Sequence, residues 1–166
     1  FPKHAVTVST ITLDLDDGSV KQPEGSDGFP QNGKEALTDW SPNLIYVEGG
    51  NTFWLHHCMT KSDWRNDLVS AITDGNAVYC GKSAGAILVG RTIETATWKG
   101  WDDPSIVPGM ESYDEWKGVE GLDLVGGASF FPHMSEEWKE LTLKKQNEVG
   151  QVYCLRDEDV CFVEKQ

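Results

Sequence analysis

Residues 78–86 read Val78-Tyr79-Cys80-Gly81-Lys82-Ser83-Ala84-Gly85-Ala86, and this stretch decides the fold. An apolar run short enough for a buried strand meets a G-x-S-x-G turn, and the small residues after it open a helix over 84–89. A serine that must project from a tight turn needs small neighbours, and Gly81, Ala84, Gly85 and Ala86 supply them. The helix that follows aims its first N–H groups at the hydroxyl, where they favour a developing oxyanion. Ser83 is therefore the candidate nucleophile, with the Ala84 N–H as the first oxyanion donor. A chance small-residue turn ahead of a packing helix would give the same pattern, so the rest of the chain must supply partners.

Upstream, residues 43–47 form a second short, mostly apolar strand that runs into Glu48-Gly49-Gly50-Asn51. Residues 52–59 then read as a helix with Asn51 or Thr52 as its cap. A further helix covers 63–72, with Trp64, Leu68 and Ile72 spaced i, i+4, i+8. Two successive strand–loop–helix units predict an α/β domain with parallel strands. In such sheets the loops at the carboxyl ends of neighbouring strands share one face, where ligands bind. That places the Gly49-Gly50 loop beside Ser83, and the Gly50 N–H becomes the second oxyanion donor.

A serine hydroxyl needs a base. Of the four histidines, His4 lies near the start, and His56 and His57 lie mid-helix, where neighbours point apart. His133 follows a short strand at 129–131 and precedes a helix capped by Ser135, so it shares the placement of Ser83. The base in turn needs an orienting carboxylate. Asp157, Glu158 and Asp159 sit together between strands expected at 152–155 and 160–163, which read as a closing hairpin. Glu158 is the first choice, with Asp157 and Asp159 as alternatives.

The outer segments are less regular. Residues 5–15 alternate as a strand, 16–34 read as a long surface loop, and 35–40 as a short helix. A short strand is expected at 122–125. Residues 91–120 hold three tryptophans, several acids and two prolines, and read as an irregular excursion that lines a site or a partner surface.

Fourteen basic against 27 acidic residues give a net charge of −13, which disfavours nucleic-acid backbones and anionic membrane surfaces. No apolar run approaches the ~20 residues needed to span a bilayer. The four cysteines form no CxxC pair, which argues against zinc-ribbon and thioredoxin sites and fits a reducing cytoplasmic or organellar interior. At 166 residues the chain fits one domain, residues 1–166.

Together GGNTF at 49–53, GKSAGA at 81–86, FPH at 131–133 and the late acidic turn RDEDV resemble the peptidase E family, which includes aspartyl dipeptidases and cyanophycinases. The resemblance covers roughly residues 42–163. It implies a three-layer α/β/α sandwich with a mostly parallel sheet, similar to class I glutamine amidotransferases but with serine at the elbow. It also implies a Ser83–His133–Glu158 triad, an oxyanion hole from Gly50 and Ala84, Asn51 near the substrate, and no metal or organic cofactor. Residues 94–103, ETATWKGWDD, look like the site-flanking loop of peptidase E-like proteins, so Trp101 and Asp102 join the expected substrate-binding residues. The implied substrate is a small peptide. Aspartyl dipeptidases use an arginine after the histidine, whereas residues 134–151 here contain lysines and no arginine. Family members carry more chain before the glycine loop than the 48 residues found here. The chain is thus expected to be a piece of a longer one, or a variant without the first strand. In either case a second copy or a partner subunit would cover the open sheet edge. Two rivals remain: a catalytically inactive peptidase E-like subunit, and a generic esterase, whose acid would precede its histidine.

Overall fold

A computed structural model of the chain describes residues 12–13, 20–21, 41–61 and 64–164. Strands β1 (Thr12–Leu13) and β2 (Val20–Lys21) pair antiparallel, so a turn of strand interrupts the loop expected over 16–34. The rest of the expected strand at 5–15 and loop at 16–34, and the helix at 35–40, lie outside the described residues.

The structural centre is the parallel pair β3 (Leu44–Val47) and β4 (Val78–Gly81), in register from Leu44 opposite Val78 to Val47 opposite Gly81. Helices α1 (Thr52–Lys61) and α2 (Trp64–Thr73) connect them. Helix α1 buries Phe53 and Met59; of the three residues spaced i, i+4, i+8 on α2, Trp64 and Leu68 are buried and Ile72 packs half-buried against the same core. Helix α3 (Ala84–Leu88) follows β4 and buries Ile87 and Leu88 in the same core. Alternation along β3 and β4 turns Ile45 and Tyr79 toward that core and leaves Leu44, Tyr46 and Val78 exposed on the other face.

The glycines of the elbow are demanded by close packing. A Cβ on Gly85 would run into the carbonyl of Val47, and one on Gly81 would lie 2.5 Å from the carbonyl of Gly85. The elbow thus presses backbone against backbone where β3, β4 and α3 meet.

The excursion over 91–120 is irregular as expected, with 3-10 turns at Glu94–Thr97, Pro104–Ile106 and Tyr113–Trp116. It is not loose. Trp116 is 2% exposed, stacks at a tilt 4.7 Å from Phe53, and donates its indole N–H to the Met110 carbonyl.

A second parallel pair follows, β5 (Ser129–Phe131) with β6 (Val152–Cys154), joined by a 3-10 turn at Glu136–Trp138 and helix α4 (Lys139–Val149). Three expectations are corrected. Residues 122–125 form no strand. There the chain runs beside 88–91, with Leu122 N–H on Leu88 O and Leu124 N–H on Val89 O, and Asp123 at φ 50° breaks the extension. The closing hairpin does not form either. β6 takes β5 as its parallel partner, and residues 160–163 stay outside any element, with Phe162 89% exposed. Ser135 precedes the helical segment as expected, but its hydroxyl donates to Glu137 and caps no backbone N–H.

Candidate active site

Four loops converge, and each leaves the carboxyl end of a strand. Because Val47 and Gly81 are opposite each other at the strand ends, the Gly49-Gly50 loop emerges beside the elbow. A Cβ on Gly49 would sit 3.1 Å from Ser83 Cβ and 3.6 Å from its Oγ, so a larger residue there would crowd the Ser83 side chain. The second strand pair contributes the other two loops: His133 lies two residues past Phe131, and Asp157 lies three past Cys154.

Ser83 has φ 51° and ψ −111°, a region L-residues enter only when the surroundings force it. This lifts the side chain out of the strand line and away from any capping role; it makes no cap hydrogen bond. Its Oγ lies 2.9 Å from His133 Nε2. The other ring nitrogen, Nδ1, lies 2.5 Å from Asp157 Oδ1. With the ring proton on Nδ1, that N–H donates to the carboxylate and Nε2 accepts from the serine hydroxyl. A hydroxyl, an imidazole and a carboxylate thus stand in series.

The carboxylate is that of Asp157, not of Glu158. Residues 156–159 form a turn in which Asp159 N–H donates to Arg156 O and the Asp159 carboxylate accepts from Arg156 N–H. Asp159 is consumed in closing the turn. Asp157 and Glu158 occupy its two central positions, and the shorter side chain at the first one reaches the ring. Glu158 is exposed.

The oxyanion candidates flank the hydroxyl. Ala84 is the first residue of α3, so its N–H has no acceptor within the helix. Gly50 has φ 144°, open only to glycine, and empty space where a side chain would be. Among the described residues, neither N–H is engaged by a hydrogen bond. The two loops are tied together by Glu48. Its carboxylate accepts from the Gly49 N–H at 2.9 Å and the Tyr46 hydroxyl at 2.8 Å, and pairs with Lys82 at 3.0 Å. These contacts, the Gly49 N–H foremost, hold the Glu48 pKa down to about 2.

Beside the triad lies an open cleft whose walls include Thr52, Lys99, Trp101 and Asp102 as well as Ser83 and His133. Trp101 is 60% exposed, with its ring centroid 5.9 Å from that of His133. Asp102 reaches the cleft but spends one oxygen on the Thr52 N–H at 2.8 Å, where it caps α1. Asn51 also caps α1: its Oδ1 accepts from Trp54 N–H at 2.9 Å, and its Nδ2 donates to the Asp103 carbonyl. Both ends of that amide are used inside the protein, and Asn51 does not line the cleft.

Lys99 is a cleft residue that sequence reasoning missed. It is half-buried, and desolvation pushes its pKa down to about 8. Its one visible signal was its place in the TWKGW segment, between two tryptophans. Among the described residues, no group of three or more His, Cys, Asp or Glu side chains is arranged to hold a metal ion, and no helix is long and apolar enough to cross a membrane.

Comparison with known proteins bears on the family and the fold. The profile of Peptidase family S51 matches residues 31–166. A solved structure from Listeria monocytogenes EGD-e, of a protein classed provisionally as a peptidase E, superposes with a TM-score of 0.54 at 26% sequence identity. The match covers 75% of this chain and 62% of that one, so the chain spans under two thirds of the length of that relative. No curated protein matches. The α/β class with parallel strands, expected from the two strand–loop–helix units, is the class of this fold.

Proposed function

Because the chain belongs to Peptidase family S51, we propose that it hydrolyses a small peptide by a serine mechanism, with Ser83 as nucleophile, His133 as base and Asp157 as the orienting carboxylate. The observation that carries this reading is the 2.9 Å approach of Ser83 Oγ to His133 Nε2, backed by the 2.5 Å contact of Nδ1 with Asp157.

The step is ordinary acyl transfer. Ser83 Oγ bonds to the peptide carbonyl carbon as its proton passes to His133 Nε2. The carbonyl oxygen takes the electron pair and faces the N–H groups of Gly50 and Ala84, donors of a kind worth roughly 3–4 kcal/mol each in such holes. Collapse breaks the C–N bond, and the leaving amine collects the proton from His133. Water, deprotonated by the same ring, then cleaves the acyl-serine ester. Asp157 holds the imidazole in the tautomer that keeps Nε2 free to accept, and it stabilises the imidazolium. Trp101 forms a wall for the substrate. Asp102 contributes the capped α1 terminus that keeps the glycine loop in place.

The test is covalent labelling by a fluorophosphonate, which needs only an activated serine beside an oxyanion hole. The chain should be labelled once, at Ser83, and Ser83→Ala should remove the label. A wild-type chain that folds and takes no label would overturn the reading and leave the inactive-subunit alternative standing.

A further inference from the structure

We infer that Lys99 is a positioning residue for the base: its ammonium holds the backbone of His133 in the one conformation that aims the ring at both Ser83 and Asp157. The inference rests on the proposed serine mechanism for its meaning, but its geometry stands on its own.

His133 has φ 54°, a left-handed conformation for a residue with a Cβ. Such a conformation persists only where the surroundings over-determine it. The peptide groups on either side of the His133 Cα are those whose carbonyls belong to Pro132 and to His133 itself. Rotation about φ swings the first, and rotation about ψ swings the second. Lys99 Nζ donates to both, at 2.5 Å from Pro132 O and 2.9 Å from His133 O. One cation therefore fixes both soft dihedrals of the residue that carries the imidazole. On the far side, Leu155 N–H donates to Phe131 O and Met134 N–H to Leu155 O, which anchors the same loop to the chain leading to Asp157.

The surroundings of the ammonium agree with a holding role. It lies 4.3 Å from the ring centroids of both Trp101 and Phe131, so aromatic faces cover much of its charge. No ion pair joins it to a carboxylate among the described residues. A cation meant to greet an anionic ligand would keep its donors free; two of the three here are spent on backbone. Arginine would meet two divergent carbonyls with a planar fork, whereas an ammonium supplies tetrahedral donors on a stem that threads between the rings.

The test uses the full chain, a fluorophosphonate probe, and the variants Lys99→Met and Lys99→Arg. Methionine keeps an unbranched apolar stem and removes the donors; arginine keeps charge and donors. Lys99→Met should lower the limiting rate of Ser83 labelling by roughly 10²-fold, the cost of a misplacement of about 1 Å. The half-saturating probe concentration should stay unchanged, and Lys99→Arg should recover part of the rate. A methionine variant that labels at the wild-type limiting rate overturns the inference. So does a loss confined to the half-saturating concentration, which would make Lys99 a ligand contact. A second readout needs no reactivity: the low-field proton NMR signal of the hydrogen between His133 Nδ1 and Asp157. It should be present in the wild type, lost in Lys99→Met and partly restored in Lys99→Arg; its persistence in Lys99→Met counts against the inference. If the wild type shows this signal but takes no label, the peptidase reading fails and the role of Lys99 survives. Should Lys99→Met give no cooperative thermal transition, Lys99→Gln takes its place with the same expected losses.

Discussion

Asp157 and Glu158 differ by one methylene and one position, and the two make opposite predictions. Asp157→Asn keeps the shape of the side chain but offers an amide to His133 Nδ1. The amide N–H favours the ring tautomer with its proton on Nε2, where it can no longer accept from Ser83. By analogy with triads in which this exchange has been made, the limiting rate should fall by roughly 10⁴-fold. Glu158→Gln touches no partner in the site and should label at close to the wild-type rate. Reversal of these two results would move the carboxylate role back to Glu158. Asp157 is open to solvent, with 77% of its side chain accessible, so its worth lies more in orienting the ring than in a strong buried charge pair. Ser83 and His133 were legible in the sequence because each follows a strand end, and strand ends define one face of a parallel sheet. The acid was not, because three adjacent carboxylates at a loop tip look alike until a turn decides which one folds back and which one reaches the ring. Lys99 was illegible for another reason: the carbonyls it holds lie 33 and 34 residues away, and no local pattern marks a side chain that bonds to backbone.

At the scale of elements, the parallel pairing of β3 with β4 was readable from two strand–loop–helix units, since that connection returns the chain in the same direction. The pairing of β6 was not. An acidic four-residue turn between apolar stretches has the composition of a hairpin loop, and sequence alone does not reveal that β5 is a better partner than residues 160–163. The tightness of the elbow yields a direct test. Gly85→Ala places a methyl against the Val47 carbonyl, a contact that must be relieved by moving backbone, not a flexible side chain. Overpacking of this kind costs roughly 1–3 kcal/mol. Thermal denaturation should show a Tm lower by roughly 2–4 °C for each kcal/mol lost at this chain length. Labelling should suffer more than stability, because the shift opens the angle between the glycine loop and Ser83. An unchanged Tm together with unchanged labelling would mean that β3 and α3 are not pressed together as described. The excursion offers a contrasting case. Trp116 is buried against Phe53 and does not line the cleft, so Trp116→Ala should cost roughly 3–5 kcal/mol in stability without a specific effect on the labelling chemistry of molecules that remain folded.

At the scale of the whole molecule, charge works against the chemistry placed at the sheet edge. Twenty-seven acids against 14 bases set a negative field around a cleft in which Lys99 is desolvated and tied to backbone. Two consequences follow from screening, whose length falls from about 30 Å at 0.01 M salt to about 10 Å at 0.1 M. Self-repulsion among the acids weakens the folded state more than the expanded one, so Tm should rise as sodium chloride is added over that range. A peptide substrate with net negative charge approaches against the same field, so its kcat/KM should rise over that range as well, while that of a neutral peptide of equal length should change little. Measuring both peptides at both salt concentrations separates the two effects, because the gain in stability is common to them and the gain in encounter rate is not. If the anionic peptide instead loses kcat/KM with added salt, a local positive potential at the cleft outweighs the global charge. Lys99 would then be acting on substrate rather than on His133, and the salt experiment and the Lys99 variants would have to agree on that exchange of roles.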